Sequence, residues 1–347
     1  MIPFNDEQNQ QILNRVHQAG QGHVLRFWNE LSQQSRTKLL NQLNSIDFHR
    51  LRELCEKYVF HPERRLFRGE LEPVDIIRLP RTDEQRRKAQ EARQVGEGAL
   101  RAGKVAALLV AGGQGTRLGF DGPKGMFPIG PVSGKSLFQL LAEKIRAVAK
   151  RYDTTIAWYI MTSEANHQQT KEFFQRHNNF GLPEVFFFQQ DMVPSVDTKG
   201  KLLLEARDRI VTSPNGHGGS LSALKNSGAL DDMRSRGIEL IFYFQVDNVL
   251  LKMCDPVFLG YHLLQGAEMS AKVIQKRDPY EKMGVVGRLN NRLAVIEYSN
   301  LSREDMEATN PDGSLKYSFG SIAIHILNVD FVERENLGGL KLPYHLA

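Results

Sequence analysis

The chain has 347 residues, 41% of them hydrophobic and 9% aromatic, with 24% charged residues, 29 Gly and 14 Pro. That is enough apolar material for one large or two ordinary domains, and it excludes a mini-protein while leaving most enzyme classes open. The 45 Lys and Arg against 40 Asp and Glu leave +5, spread without a long basic block, which favours small anionic ligands at least as well as nucleic acid. The opening MIPFNDEQNQ has neither the basic nor the long apolar segment of a secretory signal. No stretch reaches the roughly 18 consecutive apolar residues of a membrane span. Cys55 and Cys254 form no close pair and no metal-spaced cluster, which fits a reducing compartment, so a cytoplasmic chain with no membrane partner is expected.

The first third reads as helical. Val24, Leu25, Phe27, Trp28 and Leu31 make an apolar stripe, and Leu39, Leu40, Leu43 and Ile46 follow at helix-compatible spacings, so packed helices are expected over both stretches. A charged helix is expected after Asp47, and beyond it Pro62, Gly69, Pro73 and Pro80 break the chain into turns and short extended pieces. TDEQRRKAQEARQVGEGALRAGK alternates its charges and is rich in helix formers, which suits an exposed helix; a basic nucleic-acid arm is the weaker alternative.

At Lys104 the texture changes. VAALLV is a short apolar run bounded by polar and Gly-rich sequence, as a buried strand should be, and it feeds into AGGQGTRLGFDGPKGM. Ser136 with Gln139 reads as a capping box for LFQLLAEKIRAVAK, whose Leu137, Leu141, Ile145 and Val148 share one side. Strand IAWYI, a helix through QQTKEFFQRH and strand VFFF follow in α/β order. IELIFYFQV, MSAKVIQ, MGVVGRL and RLAVIEY then add strands at short spacing, so a mixed sheet is expected rather than a simple βαβ array. No fixed-period repeat is present.

The segment 110–126 carries the most chemistry. Gly112, Gly113, Gly115 and Gly119 allow backbone N–H groups to approach an anion, and Arg117 and Lys124 add positive charge in the same long turn. Rival phosphate motifs fail in detail. GQGTRL has Leu118 where a dinucleotide fingerprint wants its last glycine, and SGKS at 133–136 has Ile129 where a Walker A glycine belongs. A plain glycine turn with two surface cations is the bland alternative, weakened by the strand before it and by the GxGTR and PKG pairing.

VAALLVAGGQGTRLGFDGPKGMFPIG resembles the signature loop of the UDP-sugar pyrophosphorylases, especially the UDP-N-acetylglucosamine pyrophosphorylase branch of the eukaryotic-type uridylyltransferases. GQGHVLRFWNELS, WYIMTS, FFFQQDMVP, VDNVL, VIEYSNLS and FGSIAIHI occur in the order seen in that branch, so the resemblance runs from about Gly20 to the last residue. It implies an α/β fold, a Rossmann-like mixed-sheet nucleotidyltransferase domain preceded by a mainly helical N-terminal region, divided as residues 1–100 and 101–347. It also implies that the family's C-terminal domain lies outside these residues, along with a lysine of the region leading to it that helps neutralise the UTP phosphates.

The implied reaction joins UTP and a sugar 1-phosphate into a UDP-sugar and pyrophosphate. An anionic sugar phosphate needs no general base to attack the α-phosphorus; it needs charge control and in-line placement. The resemblance places Val110, Ala111, Gly112 and Gly113 on the nucleotide, Arg117 on the leaving phosphates, Lys124 between phosphoryl oxygens, and Asp247 at a strand end as the Mg²⁺ ligand. It places Gln190 on uracil, Gly216 on uridine, and His217, Glu297 and Ser321 on the sugar, His217 without an acid–base role. His217 and Ser321 depart from the acetylglucosamine branch, which usually has Asn at both positions. N-acetylglucosamine 1-phosphate is the leading acceptor, with a UDP-glucose or broad-specificity enzyme and a catalytically weak UTP or UDP-sugar binder as alternatives.

Overall fold

In the computed structural model, which describes residues 6–61 and 69–338, the chain separates into a unit made of 6–61 with 192–215 and a larger unit made of 69–191 with 216–338. The expected turn at Pro62 lies outside the described residues.

Among the described residues the larger unit is built on a nine-stranded sheet. Its strands in chain order are β1 (Leu71–Glu72), β2 (Val105–Val110), β3 (Trp158–Thr162), β4 (Val185–Gln189), β5 (Leu240–Gln245), β6 (Met269–Gln275), β7 (Val285–Leu289), β8 (Arg292–Ile296) and β9 (Phe319–Asn328). The spatial order is β1-β7-β9-β5-β2-β3-β4, with β6 paired to β9 and β8 to β7. β5, β2, β3 and β4 run parallel; the pairs on the other side are antiparallel.

VAALLV is uniformly apolar because both faces of β2 are covered. Ala107 and Leu109 pack with Leu137, Leu141 and Ile145 of helix Leu137–Tyr152 and Leu259 of helix Pro256–Leu264. Ala106 and Leu108 pack on the other face with Leu224, Leu230, Met233 and Val332. The result is the α/β mixed-sheet domain with a helical N-terminal region that the sequence implies. Helices Asp83–Arg101 and Pro256–Leu264 cross closely, since a Cβ on Gly96 would overlap the backbone of Pro256 and one on Gly260 that of Ala92.

The smaller unit packs helices Asp6–Gln18, Gln33–Ser45 and Phe48–Leu54, the last capped by Asp47, around Val16, Leu39, Leu40, Leu43 and Leu51. The later segment supplies Leu202 and Ile210 to that core. Gln21 fastens it, donating through Nε2 to the Gly200 carbonyl (2.8 Å) and accepting the Leu202 N–H (3.0 Å).

Two local expectations need correction. The 24–31 stripe forms two short 3₁₀ turns, Gly22–Leu25 and Trp28–Glu30, not an α-helix. Ser136 accepts the Gln139 N–H, but the Gln139 amide turns to Glu143 (3.2 Å), so only half a capping box forms. A complete box stands instead at Thr82 and Gln85. FGSIAIHI, read only as a motif, belongs to the ten-residue β9. Among the described residues no helix is long and apolar enough to cross a membrane.

Candidate active site

β5, β2, β3 and β4 end together at one edge of the sheet, their register placing Gln245, Val110 and Met161 side by side. The chain runs outward from β2 through β3 and β4 and then returns to the opposite side of β2 as β5. Such a reversal opens the crevice where ligands enter open α/β sheets.

Past Val110, the Ala111 N–H still bonds the Met161 carbonyl (2.8 Å), and then the chain leaves the sheet as a loop closed on itself. Gly115 N–H donates to the Gly122 carbonyl (2.8 Å) and Lys124 N–H to the Gly113 carbonyl (3.1 Å). Gly119 and Gly122 hold φ of +67° and +152°, values that call for glycine. Among the described residues the N–H groups of Gly112 and Gly113 donate to no protein acceptor, which leaves two donors pointing out of the backbone as an anion cradle needs.

Asn166, fully buried, braces this loop from below. Its Nδ2 donates to the carbonyls of Ala111 (2.9 Å) and Gly113 (3.3 Å), and its Oδ1 accepts the Ser163 N–H (2.9 Å). Sequence reasoning missed this residue. Its only sequence signal is an Asn in the SEANH turn after β3, a residue type that commonly bonds nearby backbone. The neighbouring His167 sits below its usual pKa because burial disfavours the cation, and its Nδ1 lies 2.7 Å from Thr162 Oγ1.

Gln190 is buried at the end of β4, its N–H on the Thr162 carbonyl (2.8 Å). Its amide lies against the loop so closely that a Cβ on Gly112 would stand 2.7 Å from Nε2. Asp191, next in the chain, accepts the Ser222 hydroxyl (3.0 Å) from helix Ser220–Asn226. That helix follows the turn His217–Gly219, which Gly216 opens at φ +78°. The Asp191–Ser222 bond therefore ties the Gln190 strand end to the helix that follows Gly216. The side chain of His217 lies outside what the structure describes.

Arg117 is exposed on the 3₁₀ turn Thr116–Leu118. Lys124 Nζ and Asp247 Oδ1 form an ion pair of 2.8 Å, the Asp247 side chain half exposed just past β5. The two charges assigned to phosphate and metal thus meet at the mouth of the loop.

Glu297 and Ser321 both approach Gly284. Ser321 N–H donates to the Gly284 carbonyl (2.8 Å), and a Cβ on Gly284 would lie 3.8 Å from Glu297 Oε1. Between Ser321 and His325, β9 carries a register irregularity against β6, with Ala323 at φ +53° and its N–H 3.3 Å from Ser321 Oγ. Such bulges re-aim side chains beside sites. His325 pairs with Tyr243 in antiparallel register, so the β9 residues before it, Ser321 among them, run past the end of β5 where Asp247 stands.

Among the described residues no three His, Cys, Asp or Glu side chains group to enclose a metal. Asp247 offers one exposed carboxylate, a donor set suited to Mg²⁺, which keeps waters and takes one or two carboxylates together with phosphate oxygens.

The family model for UTP–glucose-1-phosphate uridylyltransferase matches residues 65–334. A human UDP-N-acetylhexosamine pyrophosphorylase-like protein 1 is 39% identical over 93% of this chain and 67% of its own length. The chain belongs to the UDP-sugar pyrophosphorylase family. Within that family, UDP-N-acetylglucosamine pyrophosphorylase of Saccharomyces cerevisiae is 37% identical over 95% of this chain and 72% of its own. The crystal structure of the Trypanosoma brucei uridine diphosphate N-acetylglucosamine pyrophosphorylase in complex with an inhibitor aligns at a TM-score of 0.80 with 29% identity, over 96% of this chain and 69% of that one. These likenesses place the chain nearest the N-acetylhexosamine branch of the UDP-sugar pyrophosphorylases, and it spans roughly two thirds of such relatives' length.

Proposed function

We propose that this chain is a uridylyltransferase that moves UMP from UTP to a sugar 1-phosphate, releasing pyrophosphate, with N-acetylglucosamine 1-phosphate as acceptor. The observation that carries the reading is the Lys124–Asp247 pair at the mouth of a loop with two undonated glycine N–H groups. An oxygen of the sugar phosphate attacks the α-phosphorus, and the bond to the pyrophosphate oxygen breaks; no proton needs to move. Gly112 and Gly113 N–H groups hold phosphate oxygens, while Lys124 and Arg117 offset charge on the phosphates as it builds on the leaving group. Gln190 reads the uracil edge with its amide, and Gly216 lets the chain approach the uridine. A Mg²⁺ bound through Asp247 would supply Lewis-acid charge on phosphoryl oxygens. Lys124 would then turn from the carboxylate toward the phosphates. We place the reaction in the cytoplasm.

Glu297 would hold sugar hydroxyls, and we assign His217 and Ser321 to the sugar as well. Ser321 favours a second reading for the acceptor, glucose 1-phosphate, because a hydroxyl near the Ala323 N–H has less reach toward an N-acetyl group than an amide. Pyrophosphate release should be measured with UTP and a panel of sugar 1-phosphates, with and without Mg²⁺. Turnover highest with N-acetylglucosamine 1-phosphate supports the first reading, and highest with glucose 1-phosphate the second. No release above the metal-free control with any acceptor sinks both and leaves a nucleotide-binding protein.

A further inference from the structure

A cavity of about 250 Å³ opens between helix Leu137–Tyr152, helix Asp83–Arg101 and residues 251–256, and shares no lining residue with the loop or with Asp247. Lys144, Val148 and Arg151 lie on one stripe of the first helix, at spacings where a core-facing helix carries apolar residues. Arg93 and Lys252 complete the set, so four cations and no carboxylate line the cavity.

The nearby acids do not neutralise it. Glu97 is shared between Arg93 (3.8 Å) and Arg101 (3.1 Å), and Asp255 between Lys252 and Lys272, both at 2.8 Å. Among the described residues Lys144 Nζ reaches only a neutral acceptor, the Leu251 carbonyl (3.0 Å), and Arg151 lies over the Tyr152 ring (5.6 Å to its centroid). These groups amount to six cations against two carboxylates. Arg93 Nε is buried without a hydrogen-bond acceptor among the described residues, and burial holds the Lys144 ammonium below the usual lysine range. A neighbouring anion offsets both costs.

Ala147, Val148, Leu251, Met253 and Pro256 supply an apolar wall. The volume falls below the roughly 300–1,000 Å³ of ordinary ligand pockets, which points to a fragment-sized guest. We propose that this cavity binds a small phosphate monoester, its dianion among Arg93, Lys144, Arg151 and Lys252 and its body on the apolar wall, at a site independent of the reaction proposed above. Occupancy would pin residues 251–256, a few residues downstream of Asp247.

Phenyl phosphate and inorganic phosphate serve as probes, at matched ionic strength, with hydrogen exchange of residues 251–254 and equilibrium dialysis as readouts. Phenyl phosphate should slow exchange there and bind at least severalfold more tightly than inorganic phosphate. Arg151→Gln should weaken this binding about tenfold and Arg93→Gln similarly, with unchanged melting, whereas Lys124→Gln should leave the protection intact. Protection that survives both Arg substitutions, protection lost in Lys124→Gln, or equal binding of the two probes would each overturn the proposal.

Discussion

Lys124 and Asp247 hold each other at 2.8 Å, so removing either leaves the other without its partner. Lys124→Ala should lower kcat by about 100-fold or more while the fold persists, and a double-mutant cycle with Asp247→Asn should show strong non-additivity in the pyrophosphate assay. Gly112→Ala drives a methyl group into the Gln190 amide and should raise the apparent KM for UTP about tenfold or more, with a smaller change for the sugar phosphate. Asn166→Ala strips a buried partner from two loop carbonyls and should cost about 1–3 kcal/mol in denaturant unfolding. His262 is buried with Nδ1 on Ser270 Oγ and Nε2 on Asn328 Oδ1, both at 2.8 Å, and burial holds its pKa below the ordinary value of about 6.5. As pH falls, the unfolded chain takes the proton first. Stability from this residue is therefore complete above the unfolded pKa and is lost as pH falls toward the folded one. The melting temperature should drop between neutral pH and about pH 5, and drop less in His262→Gln.

Helices and strands were legible where burial was two-sided. VAALLV and the LIFYF of IELIFYFQV read as strands from unbroken apolar runs, while MSAKVIQ, partly exposed, still matches β6 residue for residue. The 24–31 stripe misled because Val24, Leu25, Trp28 and Leu31 join a core that includes Leu202 and Ile210 from far along the chain, which local periodicity does not encode. β9 escaped for a related reason: its register irregularity and positive-φ Ala323 break the alternation by which strands are read. The assigned residues on the loop and at the strand ends fall within short motifs, but the approach of both Glu297 and Ser321 to Gly284, just before β7, is a tertiary arrangement, and Asn166 acts only through backbone groups. At this scale Gly260→Ala tests the helix crossing. The added methyl meets backbone rather than a movable side chain, so a loss of about 1–3 kcal/mol in thermal or denaturant unfolding is expected.

Across the whole molecule, the smaller unit draws its core from two distant parts of the chain. A variant lacking the first 61 residues should leave Leu202 and Ile210 without their apolar cover, and limited proteolysis should then cut within 192–215 far faster than in the intact chain while the sheet unit stays resistant. No sequence signal announces this pairing: the short strands Met192–Pro194 and Thr212–Pro214 pair with each other, and the Leu202 and Ile210 between them join the N-terminal helices only through the tertiary fold. The excursion leaves the larger unit just after Gln190 and Asp191 and returns at Gly216. During synthesis, then, helices Asp6–Gln18, Gln33–Ser45 and Phe48–Leu54 cannot close their core until the chain has been made past Ile210, by which time β2, β3 and β4 are already translated. The smaller unit can thus complete its core before β5 to β9, and with them the sheet of the larger unit, have been made.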